Sequence, residues 1–126
     1  LLLENLARLQ RGETKLANIL FTKELARRLE GSGVGAYCFH PGLVATGFNS
    51  NNGILMGLAM RLVTMGARTP KQGAQTLVWL ATTPDSLVSG AYYVDMERRP
   101  PSAEAQDMEA ATRLWEASEA QCRALG

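Results

Sequence analysis

The sequence predicts an α/β domain, and three observations carry that expectation. Leu16, Ile19, Leu20, Leu25 and Leu29 recur at helical spacing and give way, after Gly31–Gly33, to Val34–Phe39, "VGAYCF". That run is apolar on both alternating faces, the pattern of a strand covered on both sides. A second short apolar strand, Ser89–Asp95 ("SGAYYVD"), follows after mostly helical pattern. Two strands joined by about 50 residues of helix make a parallel β-α-β crossover, right-handed by rule. Finally, Met108, Ala111, Trp115, Ser118, Cys122 and Leu125 alternate steps of three and four along one face of a closing helix.

Taken in order, Leu1–Leu9 is a leucine-rich helical segment, and "RGET" (Arg11–Thr14) is expected to break it. A helix then runs from Thr14 to Leu29, with Glu24 and Arg28 paired on its wet side. Gly31–Gly33 ends it. "GSGVG" (Gly31–Gly35) imitates a dinucleotide glycine loop, but it follows a helix and opens a strand, the reverse of that loop's context. The strand Val34–Phe39 runs into "HPGLVATGF" (His40–Phe48), a Pro-Gly turn with a small-residue tail. Asn49–Gly53 is a loop, and Ile54–Met65 is a Met- and Leu-rich helix or lid. The next helix start is strongly signalled: Thr69 as N-cap, Pro70 at the first position and Gln72 three residues after the cap. Leu77, Val78, Leu80 and Ala81 form its expected buried side, and it stops near Thr83, before Pro84. "RRPP" reads as a linker to the last helix, Ser102 to about Ala124.

The chain has 126 residues, a net charge of +1 and 46% apolar residues. That bounds it to a single domain, 1–126. Near-neutral charge gives no case for nucleic acid or an anionic membrane. The apolar runs are too short to span a bilayer, and "LLL" has neither a basic flank nor a cleavage-type site of a signal peptide. Cys38 and Cys122 lie far apart and outside any C-x-x-C pair, which fits reduced thiols in a cytoplasmic protein. His40 is the only histidine, so no metal site is expected. Two buried strands are too few for a stable sheet. The chain therefore reads as part of something larger, or as one that pairs with another chain.

"TKLANILFTKELARRL" (Thr14–Leu29) followed by "GVGAYCFHPGLVAT" (Gly33–Thr46) resembles the short-chain dehydrogenase/reductase family, in its retinol-dehydrogenase-like branch. "TPKQGAQTLVWLAT", "SGAYYVD" and "AQDMEAATRLWEAS" are similar to that branch's last helix, last strand and closing helix. The resemblance implies the C-terminal part of a Rossmann-like, doubly wound parallel sheet, incomplete because the N-terminal βαβ half is lacking. It would be about the last 40–45% of a single-domain enzyme of about 280 residues, with a junction near Arg11. Leu1–Gln10 is then either a remnant of the helix before the family's serine strand or, through "ENL" (Glu4–Leu6), the segment just upstream of its catalytic tyrosine.

The resemblance also implies an activity: hydride transfer between NADP or NAD and a small lipophilic alcohol or carbonyl compound. Lys15 matches the family's catalytic lysine, which binds the nicotinamide ribose and lowers the pKa of a tyrosine four residues earlier. A cation one helical turn away stabilises a phenolate. Here that earlier position is Arg11, which cannot exchange protons near neutral pH. The phosphate-binding glycine loop is also absent from this sequence. By the same resemblance Pro41 and Gly42 face the nicotinamide, the backbone of Leu43 and Val44 meets its carboxamide, and Thr46 reaches a diphosphate oxygen. Ligands of open α/β sheets do sit beyond the carboxyl ends of strands, and glycine permits close backbone approach.

Other readings stand beside these. Lys15 also fits a solvated first-turn lysine, the Pro-Gly pair an ordinary strand-end turn, and His40 a packed residue rather than a catalyst. Asn52–Met65 fits either an apolar lid over the substrate or an interior or interface helix. The expected outcome for this chain alone is no catalysis. The family's habit of dimerising implies a homo-oligomer, through the helices at Thr14–Leu29 and Thr69–Thr83. A non-enzymatic, self-associating α/β module is the alternative.

Overall fold

The computed structural model describes residues 2–42, 44, 67–83 and 87–125, with 2–11 described by their helical backbone alone. The order is α1 (Leu2–Arg28), β1 (Cys38–His40), α2 (Pro70–Gly73), α3 (Gln75–Thr82), β2 (Tyr92–Val94), β3 (Glu97–Arg99), a 3-10 turn (Glu104–Gln106) and α4 (Met108–Leu125). The mixed α/β class is as expected. The strands are ordered β1-β2-β3, one more than the sequence suggests.

The segments carrying β1 and β2 advance in the same direction. Gly90 N–H donates to the Ala36 carbonyl at 2.8 Å, and Cys38 N–H donates to the Ala91 carbonyl at 3.4 Å, the progression of a parallel pair. β3 returns from β2 through Asp95 and Met96, both left-handed at φ 53° and 62°. Two left-handed residues make the tight hairpin turn whose twist matches its strands. Arg98 and Arg99 are thus strand residues, not linker. The usual Asn-Gly or Asp-Gly signature is missing because methionine fills the second position.

α1 is continuous for 27 residues, so the expected break at Arg11–Thr14 does not occur. One helical glycine costs only about 1 kcal/mol relative to alanine. The helix ends at Arg28, and Gly31 and Gly33, at φ 77° and 80°, carry the chain out of it in the role expected of "GSGVG". β1 is shorter than its apolar run. Val34 is 59% exposed while Ala36 is buried, so this stretch is not covered on both sides among the described residues.

The contacts divide the chain into two compact units: Leu1–Cys38 with Leu87–Tyr92 and Arg98–Gly126, and Phe39–Ser86 with Tyr93–Glu97. In the first, α1 packs against α4 and the 3-10 turn. Asp107 starts α4 by accepting from Glu109 and Ala110 N–H, both at 2.9 Å, an N-cap. Phe21 stacks on Trp115 at 4.9 Å between centroids, and the Arg28 guanidinium lies 4.7 Å from the Trp115 ring. The expected apolar face of α4 is used in its middle, where Trp115 and Ser118 are half-buried, and not at its last turn. Ala111 is buried, whereas Leu125 is 90% exposed.

At the centre of this contact is Glu24, which is fully buried rather than on the wet side. Its carboxylate accepts from Arg27 Nε at 2.8 Å and Nη2 at 2.7 Å, from Arg28 Nε at 2.8 Å, and from Thr112 Oγ1 of α4 at 3.4 Å. Hydrogen bonding from Arg27, and then from Arg28, holds the carboxyl at about 2 against the opposing effect of burial. Spacing alone places a glutamate and an arginine on one helix face. It does not reveal that α4 closes over them.

Candidate functional site

The second unit contains the strand-end turn and the elements that shape it. Thr69 caps α2 as expected: Gln72 N–H donates to its Oγ1 at 3.2 Å, and its own N–H donates to Gln72 Oε1 at 2.8 Å. This reciprocal pair is a capping box. α2 and α3 are separate helices that meet at Ala74. The side facing the unit's interior carries Gly73 and Thr76, which are buried, while Leu77 and Val78 are 51% and 59% exposed. The expected apolar face is therefore rotated. Thr76 accepts from Met96 N–H at 3.3 Å, and Trp79 lies against Tyr93 at 5.8 Å between centroids. These contacts seat α3 on the β2–β3 hairpin.

The turn is built on this base. Gly42 is left-handed at φ 78°, a conformation glycine adopts without a Cβ penalty. Its N–H donates to His40 Nδ1 at 2.8 Å. His40 is exposed, so it is neither packed nor free: its ring ties off the turn. That bond leaves the proton of the neutral ring on Nε2. Val44 pairs with Arg68 in an isolated parallel bridge. A Cβ on Gly73 would lie 2.5 Å from Val44 Cγ2, so "GAQT" has its glycine where Val44 meets the helix.

Arg68 closes the arrangement. Its Nε, Cδ and Cζ lie 3.0–3.1 Å from where a Cβ on Gly42 would stand. Its Nη2 donates to Asp95 Oδ2 at 3.0 Å, and its Nη1 donates to Asp95 Oδ1. The facing carboxylate raises the Arg68 pKa further. Neither Arg68 nor Asp95 stands out in the sequence. The pair is 27 residues apart and belongs to no motif.

Of the other expected site residues, Pro41 is exposed beside Gly42, Lys15 is exposed on α1 in the first unit, and Leu43 and Thr46 lie outside the described residues. Asn52–Met65 also lies outside them, as does the side chain of Arg11. The described turn places a left-handed glycine just beyond the carboxyl end of a strand, with an exposed proline beside it, the end of a strand at which ligands of open α/β sheets sit. The first unit carries an open cavity of about 940 Å³, whose lining includes Lys23, Arg27, Arg98, Arg99, Tyr37 and Tyr92. No described helix is long and apolar enough to cross a membrane.

Comparison with known proteins gives a consistent result. The chain is 42% identical over 116 residues to retinol dehydrogenase 12 of Mus musculus, covering 91% of this chain and 35% of that protein. It is 43% identical over 110 residues to retinol dehydrogenase 14 of Homo sapiens (84% of this chain, 33% of that protein). With retinol dehydrogenase 13 of Homo sapiens the identity is 39% over 110 residues (82% and 33%).

Its homologues are retinol dehydrogenases.

The chain corresponds to the C-terminal portion of these short-chain dehydrogenase/reductases and carries part of their Rossmann-type fold. It spans about a third of the length of the curated relatives it matches, less than the share expected from the sequence. No family model matches the chain. Retinol dehydrogenases are oxidoreductases.

Proposed function

We propose that this chain supplies the nicotinamide end of the cofactor seat of an NAD(P)-dependent oxidoreductase, which interconverts a lipophilic alcohol, of the retinoid class, and its carbonyl. The observation that carries the reading is the left-handed Gly42 at the end of β1, in a segment homologous to retinol dehydrogenases. The bound cofactor would supply or accept hydride at its nicotinamide C4. The chain's own residues would bind and orient. Pro41 and Gly42 would flank the ring, and the backbone of Leu43 and Val44 would meet the carboxamide. Thr46 would donate its hydroxyl to a diphosphate oxygen, and Lys15 would donate to the ribose.

Acid–base chemistry is where the chain falls short. Arg11 stands one helical turn before Lys15, and a guanidinium holds its proton throughout the range in which such chemistry runs. The 126-residue chain is therefore proposed to be inactive alone. Purified chain with NADPH or NADH and a panel of retinoid and aliphatic aldehydes is expected to show no turnover. Turnover that disappears in Lys15→Met would contradict this.

A second reading has its own observation. Among the described residues β1 is an edge strand of the three-stranded order, and Leu77 and Val78 are exposed on α3, which suits self-association. Sedimentation is expected to show a dimer or larger species. A well-folded monomer would end this reading.

A further inference from the structure

We propose that Arg68 and Asp95 are positioning residues for the strand-end turn, holding Gly42 and Val44 in the shape that receives a nicotinamide. The inference rests on the function proposed above and assigns work to two residues that the functional pattern does not include.

Arg68 meets the turn in three ways. Its backbone bridges to Val44. Its Cδ, Nε and Cζ lie 3.0–3.1 Å from the Cβ position of Gly42. Its guanidinium is held by both carboxylate oxygens of Asp95. The third contact gives the second its direction. A free arginine side chain samples many rotamers, and a bidentate carboxylate fixes both the position and the plane of the fork. Asp95 is itself anchored. It is left-handed in the hairpin turn, next to Met96, whose N–H donates to the buried Thr76 hydroxyl. A chain of fixed contacts thus runs from α3 through the hairpin to Arg68 and on to Gly42.

The consequence is geometric. Arg68 fills the side of Gly42 on which any other residue would carry its side chain. The backbone is left to receive a flat ring from the opposite side, while His40 holds the Gly42 N–H from within the turn. Removing the arginine frees the turn to sample other shapes, and preorganisation is lost before stability is.

The test uses nicotinamide mononucleotide as probe and the amide resonances of Gly42 and Val44 in the purified chain. The unsubstituted chain is expected to show saturable shifts at both amides in the millimolar range. Arg68→Met and Asp95→Asn are each expected to weaken this binding about fivefold to tenfold, with the thermal midpoint nearly unchanged. Arg68→Lys keeps the charge toward Asp95 and is expected to recover part of the loss. A merely structural role would instead move the midpoint and leave the isotherm alone. If Arg68→Met fails to fold, the Asp95→Asn and Arg68→Lys isotherms decide. Substituted chains that bind as tightly as the parent overturn the positioning role and leave the reading of the turn standing. No shift at Gly42 or Val44 in the unsubstituted chain overturns both.

Discussion

Two arginine–carboxylate clusters, one in each compact unit, show how the same chemistry serves different ends. Glu24 meets Arg27 and Arg28 from within a single helix, three and four residues away, and is sealed under Thr112 of α4. Asp95 meets Arg68 across 27 residues of sequence and stays partly exposed. The first cluster sits where α1 and α4 close on each other, so it bears on stability. The second lies against a glycine turn, where solvent screens its charge, so its worth is in shape. Burial separates these roles, and burial is not written in the spacing of charges.

Acid should separate the clusters most strongly. The Glu24 carboxyl is lowered from 4.5 to about 2, so its stabilisation is fully present above the unfolded value. It is lost as pH falls from about 4.5 towards 2. Urea melts across that range are expected to show a falling midpoint that Glu24→Gln flattens; an unchanged slope would remove Glu24 from the centre of the α1–α4 contact. Next in size, Trp115→Ala deletes the Phe21 stack and the Arg28 contact and should cost about 2–3 kcal/mol in the same melts.

Smaller effects belong to the turn. Gly42→Ala places a Cβ in a left-handed residue against Arg68 and should cost about 1–2 kcal/mol, while also abolishing the nicotinamide-dependent shift at Val44. Thr69→Ala removes half of the capping box and should cost about 1 kcal/mol by thermal unfolding. Arg68→Met should change stability by less than about 1 kcal/mol, although its effect on binding is larger. A stability loss for Arg68→Met matching that of Trp115→Ala would erase the contrast between the two clusters.

Much of this is legible in the sequence. The capping box at Thr69–Gln72, the glycine exit from α1 and the parallel relation of the two apolar strands all follow from local chemistry and connection rules. The illegible parts depend on tertiary contact. Glu24 reads as a solvated helix residue until α4 covers it. Leu77 and Val78 read as core, yet Gly73 and Thr76 take the inner side because Val44 and Met96 need close approach there. The β2–β3 turn hides because Asp95–Met96 lacks the expected glycine. Within the candidate site, "HPG" announces a sharp strand end, but nothing local points to Arg68, whose importance depends on where Asp95 and Gly42 meet it.

The strand-end turn is proposed to seat the nicotinamide end of a dinucleotide. The most direct measurement is an amide-shift map of the purified chain on addition of nicotinamide mononucleotide, with ADP-ribose as the comparison. Shifts centred on His40, Gly42 and Val44 are expected with the nicotinamide probe, and weaker, displaced shifts with ADP-ribose, whose glycine-rich phosphate loop this sequence does not contain. A map that leaves His40–Val44 unmoved, or that centres on Lys23–Tyr37 instead, would contradict it.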